Sequence, residues 1–260
     1  MGCTNTFVIV TTEEEIKNLR KAGKILADAL RHLSTLVKPG ITTAALDLAA
    51  EKFVRDHGAV PAFLNYLPDG ASYPFPAVLC VSIDDEVVHG IPREERVIQE
   101  GELVMLDLGL SYNGYFSDAA VTVCAGVCDK RGQKLIDATR EALLAGAKAA
   151  RVGARTGDIG AAIEAVAKKY GFGVVEDLGG HALGKVPHEK PFIPNAAKAG
   201  TGEILKEGLV IAIEPIFTEG KGDIVLADDD WTYLTADGSR SAETEHTLLI
   251  TKTGAEVLTA

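Results

Sequence analysis

Apolar residues recur every three or four positions near the start of the chain, which is the spacing of one helical face. A helix is predicted to begin after Thr12, where Thr12 and Glu15 have the spacing of a capping box, and to end near Gly40. A second helix is predicted from about Thr43 to Gly58. The chain therefore opens with a pair of helices.

The same pattern returns 113 residues later, where Gly153 takes the place of Gly40. The matched positions are Gly40, Thr43, Leu46, Ala49, Phe53 and Gly58 with Gly153, Thr156, Ile159, Ala162, Val166 and Gly171. A second match relates the segment ending at Asp107 to the segment ending at Glu214. Amphipathic helices in an alanine-rich chain can look alike by composition alone, but the matching acids favour a duplication. We expect one domain, residues 1–260, with pseudo-repeats at approximately 14–124 and 127–251.

Apolar runs rich in β-branched residues predict strands between the helices. These runs span residues 77–83, 103–110, 115–124, 209–217 and 244–251. The simplest assembly packs two helix pairs on one curved, mostly antiparallel sheet. The predicted fold class is therefore α+β, with two pseudo-symmetric halves.

Composition and charge limit the kinds of partner that the protein can bind and the compartments in which it is expected. The net charge of −11 argues against a nucleic-acid partner, since phosphate binding relies on clustered Lys and Arg. No apolar run approaches the roughly 18 to 20 residues that span a bilayer. The loose N-myristoylation pattern at Met1, Gly2 and Thr6 lacks a basic cluster after it, so we expect no membrane anchor. The four cysteines, including Cys3, lack C-x-x-C spacing, which favours free thiols and a cytoplasmic protein.

Two acids are predicted on apolar strands, where an unpaired carboxylate is costly to bury. Asp107 lies in Leu-Val-Met-Leu-Asp-Leu-Gly-Leu, and Asp118 follows on the next strand after a hairpin-turn signal at Asn113-Gly114. The plausible hairpin registers differ by two residues, so both acids share a face in either register. Two carboxylates sharing one proton, or a metal site, would explain this pairing.

Further acids and a histidine favour the metal site. Glu214 lies on an apolar strand at the duplicated position of Asp107, and His181 follows two glycines that permit close backbone approach. Glu243 and Glu245 share one strand face, and spacing alone does not choose between them. Four carboxylates and one nitrogen suit Mn, Fe, Co or Zn in an open site, and four acids suggest two ions. Such a pair activates water for hydrolysis of an amide or ester.

Two further histidines stand beside unusual backbone. His89 lies in Val-Val-His-Gly-Ile-Pro and His188 in Val-Pro-His-Glu-Lys-Pro, where Gly and Pro fix loops that present a side chain to a cleft. For each of them, an ordinary surface-loop histidine is the alternative.

These motifs together resemble type I methionine aminopeptidase, over nearly the whole chain. The resemblance rests on VVHGIP, LVMLDLGLSYNGYFSD, GGHALG, IAIEPIF and AETEHTLLIT. It implies the pita-bread fold of the creatinase and aminopeptidase proteins, a single catalytic domain, and two divalent ions. The implied ligands are Asp107, Asp118, His181, Glu214 and Glu245, so the resemblance selects Glu245 over Glu243.

The resemblance also implies an activity, which is removal of the N-terminal methionine from nascent proteins and peptides by attack of a metal-bridging hydroxide. His89 and His188 would contact the substrate and stabilise the transition state, and Glu214 would be both ligand and proton shuttle. Phe75, Cys80 and Trp231 would form a pocket for the methionine thioether. We expect a monomer. Departures from the family pattern at Ala182, Pro187 and Asp84 bear on substrate preference.

Two rival functions remain open. Xaa-Pro aminopeptidases and dipeptidases share the ligand set, but they usually carry an additional N-terminal domain for which 260 residues leave no room. Catalytically inactive binding modules share the fold, but they typically lose ligands, whereas this sequence retains all five.

Overall fold

The computed structural model describes residues 9–68 and 70–260, so the myristoylation pattern and Cys3 lie outside the described residues. The helices are α1 (Glu13–Leu36), α2 (Thr43–Asp56), α3 (Lys130–Ala149) and α4 (Thr156–Tyr170). The first strands are β1 (Val60–Pro61), β2 (Leu79–Ile83), β3 (Glu86–Val88), β4 (Leu103–Tyr112) and β5 (Tyr115–Cys124). After α4 come β6 (Gly173–Val174), β7 (Gly179–Ala182), β8 (Glu189–Pro194), β9 (Val210–Ile213) and β10 (Ile216–Thr218). The chain ends with β11 (Ile224–Leu226), β12 (Tyr233–Thr235), β13 (Ser241–Glu243), β14 (His246–Thr251) and β15 (Gly254–Val257).

The predicted capping box opens α1. The Thr12 hydroxyl accepts the Glu15 backbone N–H at 3.2 Å, and the Glu15 carboxylate accepts the Thr12 N–H at 3.0 Å. These bonds satisfy two of the donors that a helix leaves unpaired at its start. At the other end α1 stops at Leu36, a few residues before the predicted end, because Pro39 disfavours helical backbone in the residue before it.

The α+β architecture is confirmed, with every described strand pairing antiparallel. Hydrogen bonding divides the expected curved sheet into four sections, ordered β1-β4-β2 with β5 on β4, β13-β10-β6, β11-β12-β3, and β15-β14-β9-β7-β8. One division lies between β9 and β10 at Pro215, which has no N–H to donate to a ladder. A bridge between Val121 and Thr244 joins the first section to the strands of the second half.

Each helix pair packs on strands of its own half. One apolar cluster combines residues of α1 and α2 with β2, β4 and β5, and another combines α3 and α4 with β9 and β14. Backbone conformations also recur, since φ is +92° at Gly40 and +83° at Gly153, and +83° at Gly101 and +82° at Gly208. The pseudo-repeats remain a prediction, which these matched conformations support.

Within the described residues, no helix is long and apolar enough to cross a membrane. The three cysteines in this part of the chain, Cys80, Cys124 and Cys128, are free thiols.

Candidate metal centre

The β4–β5 hairpin brings its two acids together. Asn113 and Gly114 both have positive φ, +51° and +79°, as the predicted two-residue turn requires. Ala120 lies opposite Asp107, and Asp118 stands two residues before Ala120 on the same strand. Since side chains alternate between faces, Asp107 and Asp118 share one face as predicted.

The second half contributes Glu245 at the place where the two halves meet. The Glu245 N–H donates to the Ala120 carbonyl at 2.9 Å, and the Ala120 N–H donates back at 3.4 Å. The Thr247 hydroxyl accepts the Asp118 N–H at 2.8 Å and donates to the Asp118 carbonyl at 2.7 Å. One oxygen each of Asp107, Asp118 and Glu245 consequently lie within 4.8 Å of one another.

His181 on β7 and Glu214, the residue that follows β9, complete the cluster. Ligand atoms of His181, Glu214 and Glu245 also lie within 4.8 Å of one another. The His181 Nδ1 lies 3.1 Å from the Ala182 carbonyl, which can only accept, so Nδ1 carries the proton. The lone pair on Nε2 is then free to bind a metal, and Nε2 lies 3.8 Å from an Asp118 oxygen. All five predicted ligands therefore converge.

Gly180 is the residue that allows β7 to approach β9, as the Gly-Gly pair predicted. A Cβ at Gly180 would lie 2.1 Å from the Ala212 carbonyl oxygen, which is backbone and cannot move aside alone. Gly180→Ala is therefore expected to separate the two strands and to destabilise the protein by about 1–3 kcal/mol, the usual cost of overpacking. Chemical denaturation measures this loss. Gly114→Ala, with a φ of +79° and nothing within 4 Å of its added Cβ, measures the cost of backbone strain without a clash. Gly180 is not among the glycines with positive φ, so an unchanged free energy of unfolding in Gly180→Ala would refute the steric explanation.

The buried acids carry more negative charge than the protein neutralises. Burial raises the pKa of Asp118 to about 7, and burial followed by the Asp118 charge raises that of Glu214 to about 8. Burial and the neighbouring acids raise the pKa of Asp107 and Glu245 well above the ordinary range. Asp107 Oδ1, Asp118 Oδ1 and Glu245 Oε1 are buried without a hydrogen-bond partner. No Lys or Arg stands among the described residues that line the cavity.

Glu243, the alternative that spacing left open, lies in the same cavity. Its side chain is hydrogen-bonded to Glu214, and its Oε2 is buried without a partner. Glu245 provides an atom to both of the groups of converging ligands described above, whereas Glu243 belongs to neither. The geometry therefore agrees with the choice of Glu245, and Glu243 adds a fifth carboxyl group beside the cluster.

The ten predicted site residues all line one cavity of about 350 Å³. Its apolar end is formed by Phe63, Phe75, Cys80 and Trp231, with the Phe75 and Trp231 rings edge to face at 5.1 Å. Cys80 lies directly across β2–β4 from Asp107, and its thiol is hydrogen-bonded to the Asp107 carboxylate. The candidate metal cluster thus adjoins an apolar pocket.

His89 and His188 lie at the side of the cluster. The His188 ring is 4.4 Å from the ring of His181, and the His89 ring is 6.1 Å from that of Trp231. His89 has a φ of +58°, an uncommon backbone conformation for a non-glycine residue. Burial, followed by the charge of His188, lowers the pKa of His89 to about 4. A neutral imidazole at His89 can still donate one N–H.

Sequence reasoning missed part of the cavity wall. Phe63, Tyr66 and Leu178 line the cavity. Phe63 and Tyr66 stand in no periodic run and beside no recognisable motif, whereas Leu178 directly precedes the Gly179-Gly180-His181 segment, which could have indicated it. Val88 also lines the cavity, whereas Pro187, one of the departures from the family pattern, does not.

The remaining departures from the family pattern have structural roles. The Ala182 carbonyl binds the His181 ring. Asp84 occupies a turn with φ of +54°, where its carboxylate accepts the first N–H of β4 at 3.0 Å.

Comparison with known proteins identifies the family. Residues 17–252 match the model of metallopeptidase family M24. The methionine aminopeptidase of Aquifex aeolicus is 44% identical over 250 residues, covering 95% of this chain and 97% of the relative. The crystal structure of the Thermotoga maritima methionine aminopeptidase superposes with a TM-score of 0.93 at 40% identity, covering 98% of this chain and 99% of that one.

More distant structures share only the fold. A Xaa-Pro dipeptidase from Bacillus anthracis is 24% identical with a TM-score of 0.76, and the match covers 96% of this chain but 62% of the dipeptidase. The fold is therefore the pita-bread fold common to methionine aminopeptidases and prolidases. By family model, sequence identity over its full length and structural likeness, the chain belongs to metallopeptidase family M24.

Proposed function

We propose that this protein is a methionyl aminopeptidase, which removes the N-terminal methionine from peptides and nascent proteins. The proposal rests chiefly on one observation, a cluster of four acids and a histidine at the mouth of an apolar pocket. The full-length similarity to methionine aminopeptidases supports the same substrate. An N-terminal methionine has an unbranched apolar side chain for the pocket and an amino group for the anionic cluster.

The residues present fit a pair of divalent ions. Partnerless buried oxygens on three acids need a cation, and the imidazole nitrogen beside them favours Mn, Fe, Co or Zn over Mg or Ca. Asp107, Asp118, His181, Glu214 and Glu245 would hold the ions. When bound, such ions polarise a carbonyl and lower the pKa of water to near neutrality.

The remaining roles fall to side chains at the edge of the cluster. Glu214 would move a proton from the attacking water to the leaving amine, since its carboxylate lies among the proposed ligands and lines the cavity. His89 and His188 would each donate an N–H to the substrate carbonyl oxygen as negative charge develops there. Phe75, Cys80 and Trp231 would enclose the methionine side chain, where they exclude water.

The setting follows from the same features. We expect a monomer that acts in the cytoplasm on emerging N-termini. We expect no nucleic-acid partner, because the chain is strongly acidic. An Xaa-Pro specificity is the enzymatic alternative, and a binding module without activity is the alternative of another class.

Peptide cleavage tests the function. Protein loaded in turn with Co, Mn, Fe or Zn should release methionine from Met-Ala-Ser and leave Ala-Pro-Ser intact, because the pocket is apolar and is lined by aromatic rings that suit a long apolar side chain. Release is measured by chromatography of the free amino acid, and chelator-treated protein is the control. Cleavage of Ala-Pro-Ser alone would establish the Xaa-Pro alternative. Loaded protein that cleaves neither peptide would refute the proposed function.

A further inference from the structure

A strap of chain crosses the apolar end of the cavity. The strap comprises residues 65–68 and 70–75, and two backbone hydrogen bonds close its base. The Asn65 N–H donates to the Phe75 carbonyl at 2.9 Å, and the Phe75 N–H donates to the Tyr66 carbonyl at 2.8 Å. Tyr66, Pro68 and Phe75 line the cavity from this strap. The strap therefore forms one wall of the proposed methionine pocket.

The outer part of the strap is tethered to a turn far along the chain. The Ser72 hydroxyl donates to the Asp230 carboxylate at 2.9 Å, and the Tyr73 hydroxyl donates to the Asp229 carbonyl at 2.5 Å. The Asp229 carboxylate in turn accepts the backbone N–H of Trp231 at 3.0 Å. Tyr73 is thus joined through Asp229 to the backbone that carries the pocket tryptophan.

The same strap packs against the indole itself. The rings of Tyr73 and Phe75 meet the Trp231 ring at 6.3 Å and 5.1 Å, with interplanar angles of 78° and 71°. The Trp231 Nε1 is buried without a hydrogen-bond partner. Because no polar bond fixes the indole, its position depends on ring contacts and on the turn at Asp229.

We propose that Tyr73 is a positioning residue for specificity, which limits the size of the accepted N-terminal side chain by holding Trp231 in place. Tyr73 does not line the cavity, and 37% of it is exposed to solvent, so it acts through the tryptophan and not by touching substrate. Loss of its contacts would let the indole swing outward and enlarge the pocket. The expected gain is for side chains bulkier than methionine, such as phenylalanine. The inference rests on the pocket assigned under the proposed function.

The tryptophan content of the chain makes a direct test possible. Trp231 is the sole tryptophan in the sequence, so intrinsic fluorescence excited at the indole band reports on this pocket wall alone. Metal-loaded wild type should change its emission on titration with L-methionine. Tyr73→Phe removes the hydrogen bond and keeps the ring, and it should weaken methionine binding about two- to tenfold, the value of one hydrogen bond. Tyr73→Ala should also shift the emission to the red.

Specificity is measured on the same variants. The ratio of kcat/KM for Met-Ala-Ser to that for Phe-Ala-Ser should fall about tenfold in Tyr73→Ala, a change typical of altered pocket size, mainly because kcat/KM for the phenylalanine peptide rises. Tyr170→Phe is the matched control, because the Tyr170 hydroxyl bonds Glu141 on the helices of the second half, away from the cavity. This control should leave emission and ratio unchanged.

The outcomes separate the inference from the function beneath it. The wild-type protein could release methionine from Met-Ala-Ser without any change of its fluorescence on titration with L-methionine. That result would refute the assignment of the methionine pocket, and the inference with it. If wild type responds but both Tyr73 variants keep its emission and its ratio, the tether does not set specificity. An equal fall for both peptides, with the ratio intact, would assign Tyr73 a purely structural role and would equally overturn the inference.

Discussion

His181→Ala is expected to abolish methionine release while the protein remains folded. The imidazole is the single nitrogen donor among the five proposed ligands, and its Nε2 lies 3.8 Å from the Asp118 carboxylate. Even loss of a residue that merely orients a metal ligand costs 10- to 100-fold in activity or affinity, so loss of this ligand should cost more than about 100-fold. Steady-state release from Met-Ala-Ser measures the activity, and metal analysis after dialysis measures the occupancy.

His188→Ala provides the comparison, because its ring lies 4.4 Å from His181 but it is proposed to face the substrate. This variant should lose rate, by about 10²-fold if it removes one donor to the developing oxyanion, and should keep its metal content. Near-normal turnover in His181→Ala, or metal loss in His188→Ala, would contradict the assigned roles.

Removal of metal should destabilise the protein most at alkaline pH. In the metal-free fold, burial raises the pKa of Asp118 from 3.8 to about 7 and that of Glu214 from 4.5 to about 8. The folded state therefore binds more protons than the unfolded state between these values. Stability from this source is complete below about pH 4 and is lost as the pH rises through 7 and 8. At about 1.4 kcal/mol per pKa unit, the loss is on the order of several kcal/mol.

Bound cations should remove most of this dependence, because ligands bind metal in their deprotonated form. Thermal unfolding with and without chelator at pH 5.5 and pH 8.5 measures the effect, and the difference in Tm should be larger at pH 8.5. Asp118→Asn removes one titrating group and should flatten the pH dependence of the metal-free protein. A chelator effect of equal size at both pH values would show that the buried acids do not control stability.

The acids were predictable because each stands where its surroundings permit few alternatives. Asp107 and Asp118 lie on apolar strands whose register follows from one turn, Asn113-Gly114, and whose alternation then fixes their common face. Glu214 was predictable by its equivalence to Asp107. The prediction of one continuous strand over 209–217 was only partly right. The structure has two strands there, which end at Ile213 and begin at Ile216, with Glu214 and Pro215 between them. That interruption lies at Glu214, one of the proposed ligands.

Other parts could not be predicted, for identifiable physical reasons. The strands between residues 173 and 235 are two to six residues long, too short for alternation to stand out from chance. Tyr66 and Phe63 lie in a segment without periodicity. The strap that contains Tyr66 is held by hydrogen bonds to Asp229 and Asp230, which lie more than 150 positions further along the chain, and such contacts leave no local pattern in the sequence.

The backbone pairing of Ala120 with Glu245 has a consequence for how the centre comes into being. The chain up to Cys124 supplies two of the proposed ligands, and the chain beyond it supplies the other three. Neither portion alone supplies all five proposed ligands, so tight binding of two metal ions would require the complex of both portions. If the exposed Gly126–Val127 linkage were cut, the two fragments should reassociate in proportion to the free metal concentration. Enzymatic activity would then measure fragment complementation, in which the metal ions stabilise the association of two otherwise separate polypeptides.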